Sequence, residues 1–84
     1  RAQRWRFTAP TTLLRYVAQK GSICVDGVSL TVNAVDATGF EVALVPHTVA
    51  HTAFGTTAVG DAVNLEVDLV ARYVERLLAT GATA

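Results

Sequence analysis

The chain has 84 residues, seven basic and seven acidic side chains and a formal net charge of zero, so it is one domain at most, with a core that is marginal unless other surfaces complete it. The cancelled charge leaves no electrostatic footprint for nucleic acid or for an anionic membrane surface. Cys24 is the one cysteine, which excludes an intrachain disulfide and suits a reducing cytoplasm, while no apolar run approaches the roughly 18 residues of a membrane span and no signal-peptide pattern opens the chain.

The start "RAQRW" has no initiator methionine and reads as the middle of a strand, as expected of a fragment or a processed chain. In "AQRWRFT", Trp5 and Phe7 alternate with Arg4 and Arg6, the period-two signature of a half-buried strand. Arg1, Arg4 and Arg6 then form a solvated face rather than a binding patch. In "APTTLLRYVAQKG" the period changes: Pro10 suits a first helical turn, Leu13, Leu14 and Val17 make an apolar stripe, and Gly21 is a C-terminal stop, so a short helix over 10–19 is predicted.

"SICV" and "VSLTVNAVD" flank Asp26-Gly27, a dipeptide that supplies the positive backbone dihedrals of a tight hairpin. A turn at "DATG" leads into the strand "FEVALV". "PHTVAHTAFGTTAVGD" lacks a strand period and is expected to hold one helical turn near 47–50. "AVNLEVD" is the last strand, and "LVARYVERLLA" is an amphipathic helix with Leu69, Val70, Tyr73, Val74, Leu77 and Leu78 on one broad side. The ending "TGATA" is expected to fray. These elements predict a mostly β domain, a small closed Greek-key barrel over 1–68 with one short internal helix, followed by a terminal helix over 69–80 and a tail over 81–84. The strand count is one or two short of closure, which points to missing strands or to a partner covering an open edge.

Strand parity locates the candidate chemistry. In "VSLTVNAV" the even positions Val28, Leu30, Val32 and Ala34 are apolar, whereas Ser29, Thr31 and Asn33 share the other face. The final strand repeats the pattern, with Val63, Leu65 and Val67 inward and Asn64, Glu66 and Asp68 outward. Two polar rows on a rigid sheet can hydrogen-bond a polyhydroxylated or heterocyclic ligand; they are equally what a water-facing strand carries. Lys20 and Gly21 suit both a helix C-terminus and a ligand rim. Val45 to Thr48 leaves a strand, where backbone amides and a hydroxyl become available. His47 and His51 have neither a cysteine pair nor a carboxylate at ligand spacing and read as surface residues, so no metal is expected. Cys24, with no adjacent histidine or lysine, reads as a buried packing residue. The apolar side of the terminal helix is wide for so small a domain, so the helix either folds back over the barrel or packs against copies of itself.

Taken in order, "KGSICVDGVSLTVN", "VPHT", "VGDAVNLEVD" and "ARYVERLL" resemble the C-terminal lumazine-binding barrel and terminal helix of the riboflavin synthase family, over nearly the whole chain. The resemblance implies two tandem six-stranded Greek-key barrels per chain, a homotrimer formed through the terminal helices, and an active site between the N-terminal barrel of one subunit and the C-terminal barrel of a neighbour. Its ligands are 6,7-dimethyl-8-ribityllumazine and riboflavin. The implied reaction is the dismutation of two lumazines, by transfer of a four-carbon unit, to riboflavin and a ribitylamino-pyrimidinedione, with no metal or redox cofactor. An association with lumazine synthase is also implied.

Carried onto this chain, the resemblance places Ser22, Ser29 and Thr31 against the pteridine or its ribityl chain, Lys20 near the ligand, and Val45 and Thr48 at the strand end that holds the heterocycle. Asp68 matches a carboxylate reaching across the subunit interface, and Glu66 and His47 are less specific matches. The demanding step is removal of a proton from the 7-methyl group. Ser29 and Thr48 suit stabilisation of the resulting delocalised anion, and Asp68 suits orientation of the acceptor lumazine or general base work. The matching N-terminal barrel is absent from these 84 residues, so the fragment alone is expected to be inactive. A non-catalytic lumazine or flavin binder of the same barrel family, and an interaction fragment built around the terminal helix, are the alternatives.

Overall fold

The structure is a computed structural model that describes residues 2–79; the expected tail and the last position of the expected terminal helix lie outside the described residues. In chain order the elements are β1 (Gln3–Thr8), α1 (Thr11–Leu14), β2 (Ser22–Val25), β3 (Val28–Thr31), β4 (Ala34–Val35), β5 (Gly39–Leu44), α2 (Pro46–Ala50), a 3₁₀ turn (Ala53–Gly55), β6 (Leu65–Val67) and α3 (Leu69–Ala79).

The strands form two antiparallel three-stranded sheets, ordered β1–β5–β4 and β3–β2–β6. β1 pairs with β5 over its full length, from Gln3 opposite Leu44 to Thr8 opposite Gly39. The alternation in β1 does what its period requires: Phe7 is buried and Trp5 half-buried, while Arg4 and Arg6 are exposed. Phe7 is the hub of an aromatic cluster, with ring centroids 5.4 Å from Phe40 and 6.3 Å from Phe54, and Trp5 meets Phe54 edge-on at 5.3 Å. Phe40, Phe54, Ile23, Leu44, Val25, Val32 and Val42 are fully buried between the sheets. The sheets do not close on one another, so the fold is an incomplete barrel in which β1 and β6 are open edges.

The run 28–35, one strand by its alternation, is divided between the two sheets. Its first half pairs with β2; after the buried Val32 the chain bends, the Asn33 amide donates to the Glu41 carbonyl at 2.8 Å, and Ala34 and Val35 pair with β5. The hairpin itself forms as its dipeptide dictates, with Asp26 at φ 48° and Gly27 at φ 82°. Asp26 also ties the hairpin to the approach of β6: its amide donates to the Asn64 carbonyl, and its Oδ1 accepts from the Asn64 amide, both at 2.8 Å.

The helix expected over 10–19 is only four residues long. Beyond Leu14 the bonds tighten to Tyr16 amide on Leu13 carbonyl and Val17 amide on Leu14 carbonyl, each 3.0 Å. Tertiary pairing then takes over, because the Lys20 amide donates to the Val32 carbonyl at 2.7 Å and the Val32 amide to the Gly21 carbonyl at 2.8 Å. Lys20, not Gly21, adopts the left-handed conformation, at φ 69°. The helical turn expected near 47–50 is α2. Beyond it, the Thr52 hydroxyl donates to the Thr48 carbonyl at 2.7 Å and accepts from the Phe54 amide at 3.2 Å, a turn that inserts Phe54 into the core.

α3 does not fold its apolar side back over the sheets. Leu69, Val70, Tyr73, Val74, Leu77 and Leu78 are 50–77% exposed, while Ala71 and Glu75 are its half-buried positions. Its attachment is polar: Glu75 accepts from Arg15 Nη2 at 2.5 Å and from the Tyr16 hydroxyl at 3.4 Å.

Candidate functional site

Pairing in the β3–β2–β6 sheet brings the polar rows together. Ser22 lies opposite Thr31, Cys24 opposite Ser29 on one side and opposite Glu66 on the other. Because side chains alternate along each strand, Ser22, Cys24, Ser29, Thr31 and Glu66 share the face directed away from the buried Ile23, Val25, Leu30 and Val67. On this face is a shallow depression of about 270 Å³, lined by Ser22, Ile23, Cys24, Ser29, Glu66, Val67, Asp68 and Leu69. Its size is just below the roughly 300 Å³ at which small-molecule sites begin, so a heterocycle there lies against the sheet with its other side open.

Asp68 lines the depression from the single position between β6 and α3. Its Oδ1 accepts from the Val70 amide at 3.2 Å and its carbonyl from the Arg72 amide at 3.3 Å, so it caps the helix and its carboxylate direction is coupled to the helix axis. Chemically the depression offers two hydroxyls that donate or accept, a thiol, and two carboxylates that accept. That set suits a ligand rich in hydroxyl and ring N–H groups. Among the described residues there is no cluster of three or more His, Cys, Asp or Glu side chains suited to holding a metal ion.

Of the residues expected at the site, Ser22, Ser29, Glu66 and Asp68 line the depression, and Thr31 adjoins it as the cross-strand partner of Ser22. Lys20 stands two residues before Ser22, exposed, in its left-handed conformation. Val45 and Thr48 are not among the lining residues; they follow β5 in the other sheet, Val45 at 51% exposure and Thr48 half-buried. His47 is likewise outside, its ring stacked on that of His51 with centroids 4.1 Å apart and its carbonyl 2.8 Å from His51 Nδ1.

The sequence reading missed Cys24. It is half-buried and lines the depression rather than packing in the core. Its parity is the signal that finds it, since it lies two residues from Ser22 on the same short strand. A second cavity, about 370 Å³, opens between β1 and the 57–63 segment and is lined in part by Trp5, Phe7 and Val63. It borders the open edge of β1 and holds none of the expected site residues.

On the opposite sheet, Asp36 shows what a saturated structural carboxylate looks like. Its Oδ1 accepts from Arg6 Nη2 at 2.8 Å, the Thr38 amide at 2.9 Å and the Gly39 amide at 3.0 Å. The Arg6 hydrogen bond, then these backbone bonds, hold its carboxyl well below the usual carboxylate range. Asp36 is therefore committed to the turn before β5.

The lumazine-binding domain family matches residues 1–68, the segment that forms both sheets, and the chain belongs to that family. Within it, the similarity is to riboflavin synthases. The chain is 54% identical to the riboflavin synthase of Photobacterium phosphoreum over 69 residues, covering 82% of this chain and 32% of that protein. It is 54% identical to the riboflavin synthase of Mycobacterium tuberculosis over 76 residues, covering 87% of this chain and 38% of that protein. The riboflavin synthase of Brucella abortus is 47% identical over 76 residues, with 90% of this chain and 38% of that protein covered. The chain thus spans about a third of the length of these relatives.

Proposed function

We propose that this chain supplies the C-terminal lumazine-binding unit and terminal helix of a riboflavin synthase, the enzyme that dismutates two molecules of 6,7-dimethyl-8-ribityllumazine to riboflavin and 5-amino-6-ribitylamino-pyrimidinedione. The observation that carries the reading is the convergence of Ser22, Ser29, Glu66 and Asp68 on one depression, in a chain whose family binds lumazine. Ser22, Thr31 and Glu66 hold ribityl hydroxyls or ring N–H groups. Ser29 donates to a ring carbonyl and so stabilises the anion left when the 7-methyl group loses its proton. Asp68, between β6 and α3, orients the acceptor ring or takes the proton. Lys20, Val45 and Thr48 join the site when a ligand extends beyond the depression towards the strand ends.

The depression has room for one ring system, and the reaction needs two held face to face, which supplies the large proximity contribution of a bimolecular step. The second ring comes on another barrel. The exposed apolar side of α3 suits the homotrimer that would bring such a barrel into place, and the reading sets the protein in the cytoplasm, consistent with a free Cys24. An association with lumazine synthase rests on the family resemblance alone. Within the described residues no helix is long and apolar enough to cross a membrane.

The test is a graft. This chain replaces the matching third of the Mycobacterium tuberculosis riboflavin synthase, and the product is assayed for lumazine dismutation and for ligand binding by fluorescence. Turnover is expected, with Asp68→Asn lowering kcat about 10- to 1000-fold while ligand still binds. The 84 residues alone are expected to bind ligand without turnover. A folded graft that binds lumazine and does not turn over would overturn the catalytic reading in favour of a non-catalytic binder, and one that does neither would overturn the site.

A further inference from the structure

We infer that Arg15, Tyr16 and Glu75 are positioning residues for Asp68, acting through the axis of α3. This rests on the role given to Asp68 under the proposed function, and it adds residues far from the depression that neither the family match nor strand parity indicates. Asp68 alone separates β6 from α3, and its Oδ1 accepts from the Val70 amide of the first helical turn. The direction of the carboxylate therefore follows the direction of the helix. One anchor is β6, paired to β2 through Val67 opposite Ile23. A further anchor is Glu75, seven residues on and about 10 Å along the axis.

Glu75 is gripped by the segment that follows α1. Its Oε2 accepts from Arg15 Nη2 at 2.5 Å and its Oε1 from the Tyr16 hydroxyl at 3.4 Å. The guanidinium carbons of Arg15 and Arg72 each stand 5.8 Å from the Tyr16 ring centroid, so Arg72 on the helix and Arg15 on the barrel share that ring. With the apolar side of α3 exposed, little apolar packing sets the helix against the sheets. Polar contacts that cross from barrel to helix thus set its angle. An exposed ion pair contributes little to global stability, with Arg15 at 58% and Glu75 at 27% side-chain exposure. Breaking it leaves the barrel folded and releases the helix, and the Asp68 carboxylate swings with it.

Two measurements test this. In the 84-residue chain, the Val70 amide and the Asp68 side-chain carboxyl are followed by NMR in Glu75→Gln and Arg15→Met. Both resonances shift, and Val70 amide exchange accelerates about 3- to 10-fold, with the melting temperature unchanged. In the riboflavin synthase graft, Glu75→Gln lowers kcat about 3- to 30-fold with KM within about twofold, causes no further loss on an Asp68→Asn background, and is largely rescued by the exchange Arg15→Glu with Glu75→Arg. Unchanged Val70 and Asp68 resonances in both single variants would overturn the inference, as would a loss in Glu75→Gln that adds in full to that of Asp68→Asn. If the unsubstituted graft has no activity, the proposed function fails by itself, and the two resonances still decide whether the helix angle sets the Asp68 carboxylate.

Discussion

At Gly39 the space for a side chain is missing altogether. A Cβ there would lie 2.3 Å from the Phe7 carbonyl oxygen and 3.1 Å from Thr8 Cα, both backbone atoms of the paired strand β1. Gly39→Ala must push β1 and β5 apart, and we expect a loss of about 1–3 kcal/mol, read as a lower urea midpoint with an unchanged slope. Beside it, Asp36 gives a pH signature. Its carboxyl is held well below the usual range, first by the Arg6 hydrogen bond, so its contribution is complete above the unfolded value of about 4 and is lost as pH falls towards the lower folded value. Asp36→Asn keeps the acceptor oxygen for Thr38 and Gly39 but not the charge opposite Arg6. Thermal melts from pH 7 to pH 2 are expected to show a shallower acid decline in the variant than in the parent; equal slopes would assign the acid sensitivity to other carboxylates.

Among the elements, the β2–β3 hairpin is the one that local chemistry specifies most completely. Asp26 and Gly27 both have positive φ, and nothing lies within 4 Å of a Cβ added at Gly27. The cost of Gly27→Ala is therefore conformational rather than steric, about 1–2 kcal/mol, measurable by denaturant titration. The same hairpin carries Ser22, Cys24, Ser29 and Thr31, so its register sets the polar face: a slip of one residue would turn those side chains into the core and Ile23 and Leu30 out to solvent. Strand parity made Ser29 and Thr31 legible as one polar row and Glu66 as part of a second. It did not separate a ligand face from a solvated one, because both need outward polar groups; the depression, with Asp68 among its lining residues, comes from the pairing of β2 with β6, residues about 40 apart in the chain.

For the whole molecule, the unfinished features are the open edges of the two sheets and the exposed side of α3. An isolated helix of this length is marginal in water, and α3 presents Val70, Val74 and Leu78 to solvent at 63%, 50% and 77%. If these residues join copies of the protein, Val70→Glu together with Val74→Glu dissociates the assembly formed by the graft to monomers in sedimentation, without shifting the melting of the barrel. Retention of the oligomer would place the subunit contact elsewhere.

Alternation in β1, the Asp26-Gly27 turn, the amphipathic period of α3 and the polar rows were determined by the sequence itself, since each is a repeat or a turn whose physics is confined to a few neighbouring residues. The tertiary structure alone decided the rest. The 10–19 helix stops at Leu14 because Lys20 and Gly21 exchange hydrogen bonds with Val32, and the 28–35 strand divides because its two halves find different partners, β2 and β5. α3 leaves its apolar side exposed, and the two polar rows meet in one depression, for a related reason. A side chain's face is set by which distant strand or helix is paired with its own, through hydrogen bonds and packing between segments that no local period connects.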